Sequence, residues 1–189
     1  MNNKSDPYYI AVACAEQGFP VRPNGSNLTL SSDPVDTHNR WAYEFSGCPV
    51  ELPTGSVSGV LAISIRRKAK ERLLDALVDA KCRLSKWGIS PSKIFFYDRS
   101  TITFLYECHD EVIIDGTVEL AQDFVVLGNG ASIILPPYEC PISHTTVYWS
   151  FGNALTRDAL PKIGKRAMEV MVHIMNVTET FQYHVRDAA

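Results

Sequence analysis

No two cysteines of this sequence lie close enough to form a CxxC clasp. The five, Cys14, Cys48, Cys82, Cys108 and Cys140, are odd in number and far apart. That pattern speaks against a disulfide framework and for reduced thiols. An apolar run approaching the roughly 18 residues of a membrane-spanning helix is also missing. The start, MNNKSDPYY, sets no apolar stretch behind a basic one, so a cytoplasmic protein with no membrane partner is expected. Positive charge is not in excess either. The 18 lysines and arginines face 21 acids for a net charge of -3, so any nucleic-acid contact has to come from a local basic patch. No serine sits in G-x-S-x-G, which removes the usual signature of a nucleophile elbow. Internal repeats and low-complexity tracts are absent.

What remains is an ordinary globular composition, 46% hydrophobic over 189 residues, enough for one well-packed core. Pro7 and Gly18 bracket a first helix, YYIAVACAEQ. GFPVRPNGS reads as a short strand running into a turn. Ser32 to Asp36 signals a second helix that buries Trp41, Tyr43 or Phe45, and CPVELPTGSVSG reads as a loop. GVLAISI is a β-branched apolar run of strand length, expected at the centre of a sheet and buried on both faces. The next helix carries Leu73, Leu77, Ala80 and Leu84 at helical spacing, with Leu74 and Val78 widening the stripe, and stops at Gly88. SKIFFYDRS and TITFLYEC read as neighbouring strands. TVELAQDFVVLGNGASIILPP reads as a strand, a Gly-Asn-Gly turn and a second strand in a hairpin. TTVYWSFG is a further strand. A last helix, about residues 160–180, sets Ile163, Ala167, Val170, Met171 and Ile174 on one face. The order predicts an α/β (α+β) single domain over residues 1–189, a mostly antiparallel sheet flanked by helices.

Several stretches, taken in order, resemble the bifunctional primase-polymerase N-terminal domain of the archaeo-eukaryotic primase superfamily, found in plasmid, phage and prophage replication proteins. They are Gly18 to Pro23 (G-x-x-V-x-P), Asp33 to Trp41, Thr54 to Ile65 (T-G-x-x-S-G and a hydrophobic strand), Gly128 to Pro137 (G-N-G-x-x-h-h-x-P-P) and Tyr148-Trp149, over about residues 8–165. The resemblance implies a primase-polymerase-like fold and, in an active member, DNA-dependent nucleotidyl transfer with Mg²⁺ or Mn²⁺. It also assigns positions. The family's paired carboxylates fall on Ser64 and Arg66, its histidine on Thr103 and its third carboxylate on Val125. Two-metal chemistry needs oxygen ligands that fix both ions; serine supplies a weak one and arginine repels the metal. The expectation is therefore a pseudoenzyme with no catalytic residue, no metal and no cofactor, binding DNA, RNA or nucleotides and working beside replication proteins. Asp98, Asp115, Glu119 and Asp123 lie nearby in sequence, and two alternatives stand: an active DNA primase-polymerase with ligands relocated to Asp98 or Asp123, and a protein-interaction module that kept the fold.

Candidate binding groups come in two sets. Arg66, Arg67, Lys68, Lys70 and Arg72 place five cations in seven residues where the central strand meets the next helix. They read either as phosphate contacts or as a solvated helix start. Gly128, Asn129 and Gly130 read either as an anion-binding nest or as a tight turn. Cys140 and His144, with Cys108 and His109, lack the close paired spacing of a zinc cluster. Trp41 and Trp149 are expected in the core rather than as base-stacking platforms.

Overall fold

Asp6 opens the first helix by accepting the Tyr8 amide at 3.0 Å, and Pro7, which has no amide to leave unpaired, takes the next position. Helix α1 runs Pro7–Glu16. The same device recurs at Asp33, whose carboxylate accepts the Val35 amide to start α2, Pro34–Asn39. A wider-wound turn, Arg40–Glu44, extends α2. It turns Trp41 into the core and leaves Tyr43 80% exposed. These features come from a computed structural model that describes residues 6–26, 30–68, 71–108, 114–121, 123–139, 146–149 and 155–173.

The strands are β1 (Arg22–Pro23), β2 (Val50–Pro53), β3 (Val60–Arg66), β4 (Phe95–Tyr97), β5 (Thr101–Glu107), β6 (Thr117–Ala121), β7 (Phe124–Leu127), β8 (Ser132–Ile134), β9 (Tyr138–Glu139) and β10 (Thr146–Trp149). Helix α3 spans Leu73–Lys86, and residues 165–173 form a last helix, α4. A seven-stranded sheet has the order β6-β7-β3-β5-β4-β10-β9, and a small one the order β1-β2-β8. Every named strand pair is antiparallel. This is the expected α+β class.

Strand alternation divides the core. Leu61, Ile63 and Ile65 of β3, with Ile102, Phe104 and Tyr106 of β5, face α3 and α4 and pack against Ala76, Ala80, Leu84, Ala167 and Met171. Val60 and Ala62 face the other way with Leu105 and Phe96, under α1, Trp41 and the small sheet's Val50, Leu52 and Ile133. Fully burying one such side chain contributes about 1.5–3 kcal/mol. Both layers are built on one large sheet, so the described chain is a single domain. No helix among the described residues is long and apolar enough to cross a membrane.

Four expectations need correction. CPVELPTGSVSG is not all loop, since Val50–Pro53 is the buried centre of the small sheet. The Gly-Asn-Gly hairpin does not exist: β7 pairs with β3 and β6, while β8 crosses to pair with β2. The true hairpin is β6–β7, turning inside what reads as one strand. Leu74 and Val78 do not widen the buried stripe of α3, being 65% and 62% exposed, and Val170 of α4 also faces outward; Met168, 1% exposed, joins Ile163, Ala167 and Met171 inside. Ile174 lies outside the described residues.

Candidate functional site

Ser64, Arg66, Thr103 and Val125, far apart in sequence, come together on one face of the large sheet. Ser64 lies opposite Thr103 of β5 on one side and Val125 of β7 on the other. The same register row runs on to Glu119 of β6 beyond Val125 and to Phe96 of β4 beyond Thr103, and then to Trp149 of β10. Register partners point to the same face, so six side chains form one line across the sheet. Arg66, two residues past Ser64 on β3, shares that face and is exposed.

The middle of the row is hydroxyls and hydrocarbon, with the one carboxylate, Glu119, at its β6 end. Ser64 Oγ and Thr103 Oγ1 are 2.7 Å apart and satisfy each other, and Thr103 is only 4% exposed. Val125 offers no polar atom. At the far end Phe96 and Trp149 meet edge to face at 5.8 Å, and the Trp149 Nε1–H donates to the Pro136 carbonyl at 2.6 Å. A mutually bonded pair of neutral hydroxyls beside an exposed guanidinium has no charge to attract a divalent cation.

Nor do the nearby acids converge on the row. Asp98 Oδ1 accepts from the Ser100 amide and hydroxyl and the Thr101 amide, at 2.6 to 2.8 Å, and so caps the β4–β5 turn. Asp115 accepts from Asn129 Nδ2 at 3.1 Å. Asp123 does not share the Val125 face: it sits in the β6–β7 turn and pairs with Arg83 of α3 at 3.7 Å, on the opposite side of the sheet. Only Glu119, exposed on β6, stands on the row itself. Among the described residues no three aspartate, glutamate, histidine or cysteine side chains form a metal-holding group.

The basic run divides into different roles. Arg67 is committed to the fold, its guanidinium donating to the Asp98 carbonyl at 2.5 Å and the Glu71 carbonyl at 2.8 Å. Arg66, Lys68 and Arg72 are exposed. Lys70 lies outside the described residues, as do His109, Cys140 and His144. Cys108 is half-buried, whereas burial pushes the Cys14 thiol up to about 12.

The Gly128-Asn129-Gly130 segment is a knot rather than an open nest. The Gly128 and Asn129 amides donate to the Gly116 and Ile114 carbonyls at 2.9 and 2.7 Å. Thr54 Oγ1 donates to the Gly128 carbonyl at 2.6 Å, and Asn129 Oδ1 accepts the Ser56 amide at 2.7 Å. Gly55, at φ +90°, passes so close that a Cβ there would stand 2.5 Å from Asn129 Cα. Thus the two glycine-rich stretches, Thr54–Gly59 and Gly128–Gly130, hold each other, an association that no local pattern announces.

A recess of about 210 Å³ is lined by Gly59, Glu107, Arg157, Asp158 and Leu160, at the end of β5 away from Arg66. Its arginine is occupied, donating to the Gln17 and Gly18 carbonyls past the end of α1 and lying 4.5 Å over the Phe19 ring. Compared with models of known protein families and with curated proteins, the chain matches none.

Proposed function

We propose that this protein is a catalytically silent primase-polymerase-like domain of plasmid, phage or prophage replication that contacts nucleic-acid phosphates directly instead of through bound metal. One observation carries the reading. The four positions that the resemblance assigns to metal ligands and catalytic histidine fall on three neighbouring strands of one sheet face, and there they hold a serine–threonine hydroxyl pair, a valine and an exposed arginine. The grouping is what a shared ancestry with the two-metal site calls for. The side chains are what remains once that chemistry is abandoned. Arg66, Lys68 and Arg72, exposed where β3 leads toward α3, supply the charge that neutralises phosphate and releases counterions.

The test is affinity for single-stranded and duplex DNA and RNA at several salt concentrations. Binding by the parent should weaken steeply with salt. The Arg66→Ala/Lys68→Ala/Arg72→Ala variant should bind more weakly to every sequence, with the slope of log K against log salt reduced by about 0.7–0.9 for each phosphate no longer neutralised. No binding by the parent at low salt would sink the reading and leave the fold as an interaction surface.

A further inference from the structure

On the face of the sheet opposite the Ser64 row, β3, β5, β4 and β10 contribute a second register row, Ile65–Ile102–Tyr97–Tyr148. Its inner members lie in the core beneath α3, and Tyr97 packs against that core. Tyr148 stands beside it 49% exposed, the two rings 5.7 Å apart and tilted by 31°. Neither hydroxyl has a hydrogen-bond partner among the described residues. An exposed ring leaning on a half-buried one gives a continuous aromatic surface at this face of the sheet, and one that is retained in water calls for a use.

What adjoins the pair is positive. Tyr97 leads into the Asp98–Ser100 turn, and this turn is bound to the basic run: the Arg67 amide donates to the Ser100 carbonyl at 2.7 Å and the Arg67 guanidinium to the Asp98 carbonyl. Lys68 and Arg99, one residue from each side of that joint, are exposed, with no side-chain partner among the described residues. In a chain of net charge -3, segments 66–72 and 98–100 hold six cations and two carboxylates. Both carboxylates accept backbone amides, Glu71 from Lys68 and Asp98 from Ser100 and Thr101.

We propose that Tyr97 and Tyr148 form a stacking platform for the unpaired bases of a single-stranded nucleic acid, with Lys68 and Arg99 contacting its phosphates. Aromatic rings beside a cationic rim suit single strands because each base offers a π-face that a duplex keeps stacked inside. The proposal rests on the nucleic-acid reading above but places the bases on the other face of the sheet, away from Ser64 and Thr103.

The experiment compares labelled oligo-dT, oligo-rU and a blunt duplex by fluorescence anisotropy at several salt concentrations, for the parent, Tyr148→Leu and Tyr148→Phe. Leucine keeps apolar volume at an exposed strand position, and phenylalanine keeps the ring. Tyr148→Leu should weaken single-strand binding about tenfold, with the salt slope and the duplex affinity unchanged. Tyr148→Phe should stay within about twofold of the parent. Oligo-dT and oligo-rU affected alike would mean that the platform reads bases without regard to the sugar; a loss confined to one would name the strand it serves. Photocrosslinking of a 5-iodouracil oligonucleotide to the parent, mapped by peptide, should label Tyr148 or Tyr97 and requires no variant to fold. Parent-like single-strand binding by Tyr148→Leu, or crosslinks confined to other residues, would overturn the platform while leaving phosphate binding intact. A parent dimer that Tyr148→Leu splits, with single-strand affinity kept, would assign the pair to self-association and overturn it as well. A parent that binds nothing at low salt would remove both proposals together.

Discussion

Arg66 and Arg67 are neighbours of the same type with different roles, because strand alternation sends successive side chains to opposite sides. Arg66 ends exposed on the Ser64 face; Arg67 donates to two carbonyls and holds the β4–β5 turn against the approach to α3. Arg67→Ala leaves those carbonyls without their donor and should cost about 1–3 kcal/mol, whereas Arg66→Ala should stay within about 0.5 kcal/mol of the parent. Urea unfolding of the two variants checks this, and equal losses would contradict it. A second pair of residues separates conformation from crowding. Gly55 and Gly88 both have positive φ, but only Gly55 faces a neighbour, Asn129, at sub-contact distance. Gly88→Ala should lose only the ~1–2 kcal/mol of a left-handed alanine, and Gly55→Ala clearly more. Thermal unfolding with equal losses would mean that the glycine knot gives way at no expense. From the sequence, Gly55 and Asn129 stand out as turn residues. That they face one another does not, because the approach spans more than seventy residues and no local rule sees it.

At the scale of elements, helices and the central strand were legible, since their signals are local: a capping aspartate and proline, a period of 3.6, a β-branched run. The misreadings share one cause. Leu74 and Val78 fit the helical stripe as well as Leu73 and Leu77 do, and only the sheet beneath decides which side is covered. Val50–Pro53 reads as a loop because two prolines bracket it, yet it serves as a strand with Glu51 as its anchor. Glu51, 6% exposed, accepts from Arg22 Nε and Nη2 and from the Gly25 amide, tying β1 to β2. Burial works against its charge, but the hydrogen bonds from Arg22, Ser132 and Gly25 outweigh it and hold the carboxyl below its usual value. A group with a depressed folded pKa stabilises above its unfolded pKa and loses that contribution as pH falls through the folded one. Melting temperature should therefore drop on acidification below about pH 4.5. Glu51→Gln should be less stable than the parent at neutral pH and lose less on acidification; a variant with the parent's full acid limb would place the effect elsewhere.

For the whole molecule, the sequence carried the class of fold and the positions of Ser64, Arg66, Thr103 and Val125, but not the register that joins them. Register is a non-local property, fixed where β5 and β7 pair with β3. The Tyr97–Tyr148 pair has no local signature for the same reason, its members lying on strands that are adjacent in the sheet and distant in the chain. The central proposal is that the Ser64 row keeps the positions of a two-metal site without its paired carboxylates, and calorimetric titration with Mn²⁺ tests it most directly. The parent should show no stoichiometric uptake, because its row offers paired hydroxyls, a valine, a guanidinium and the single carboxylate of Glu119, while Ser64→Asp/Arg66→Asp, which places two carboxylates on one strand face, should gain a site. Stoichiometric binding of Mn²⁺ by the parent, abolished by Glu119→Gln, would contradict the account and mean that the ligands have moved rather than gone.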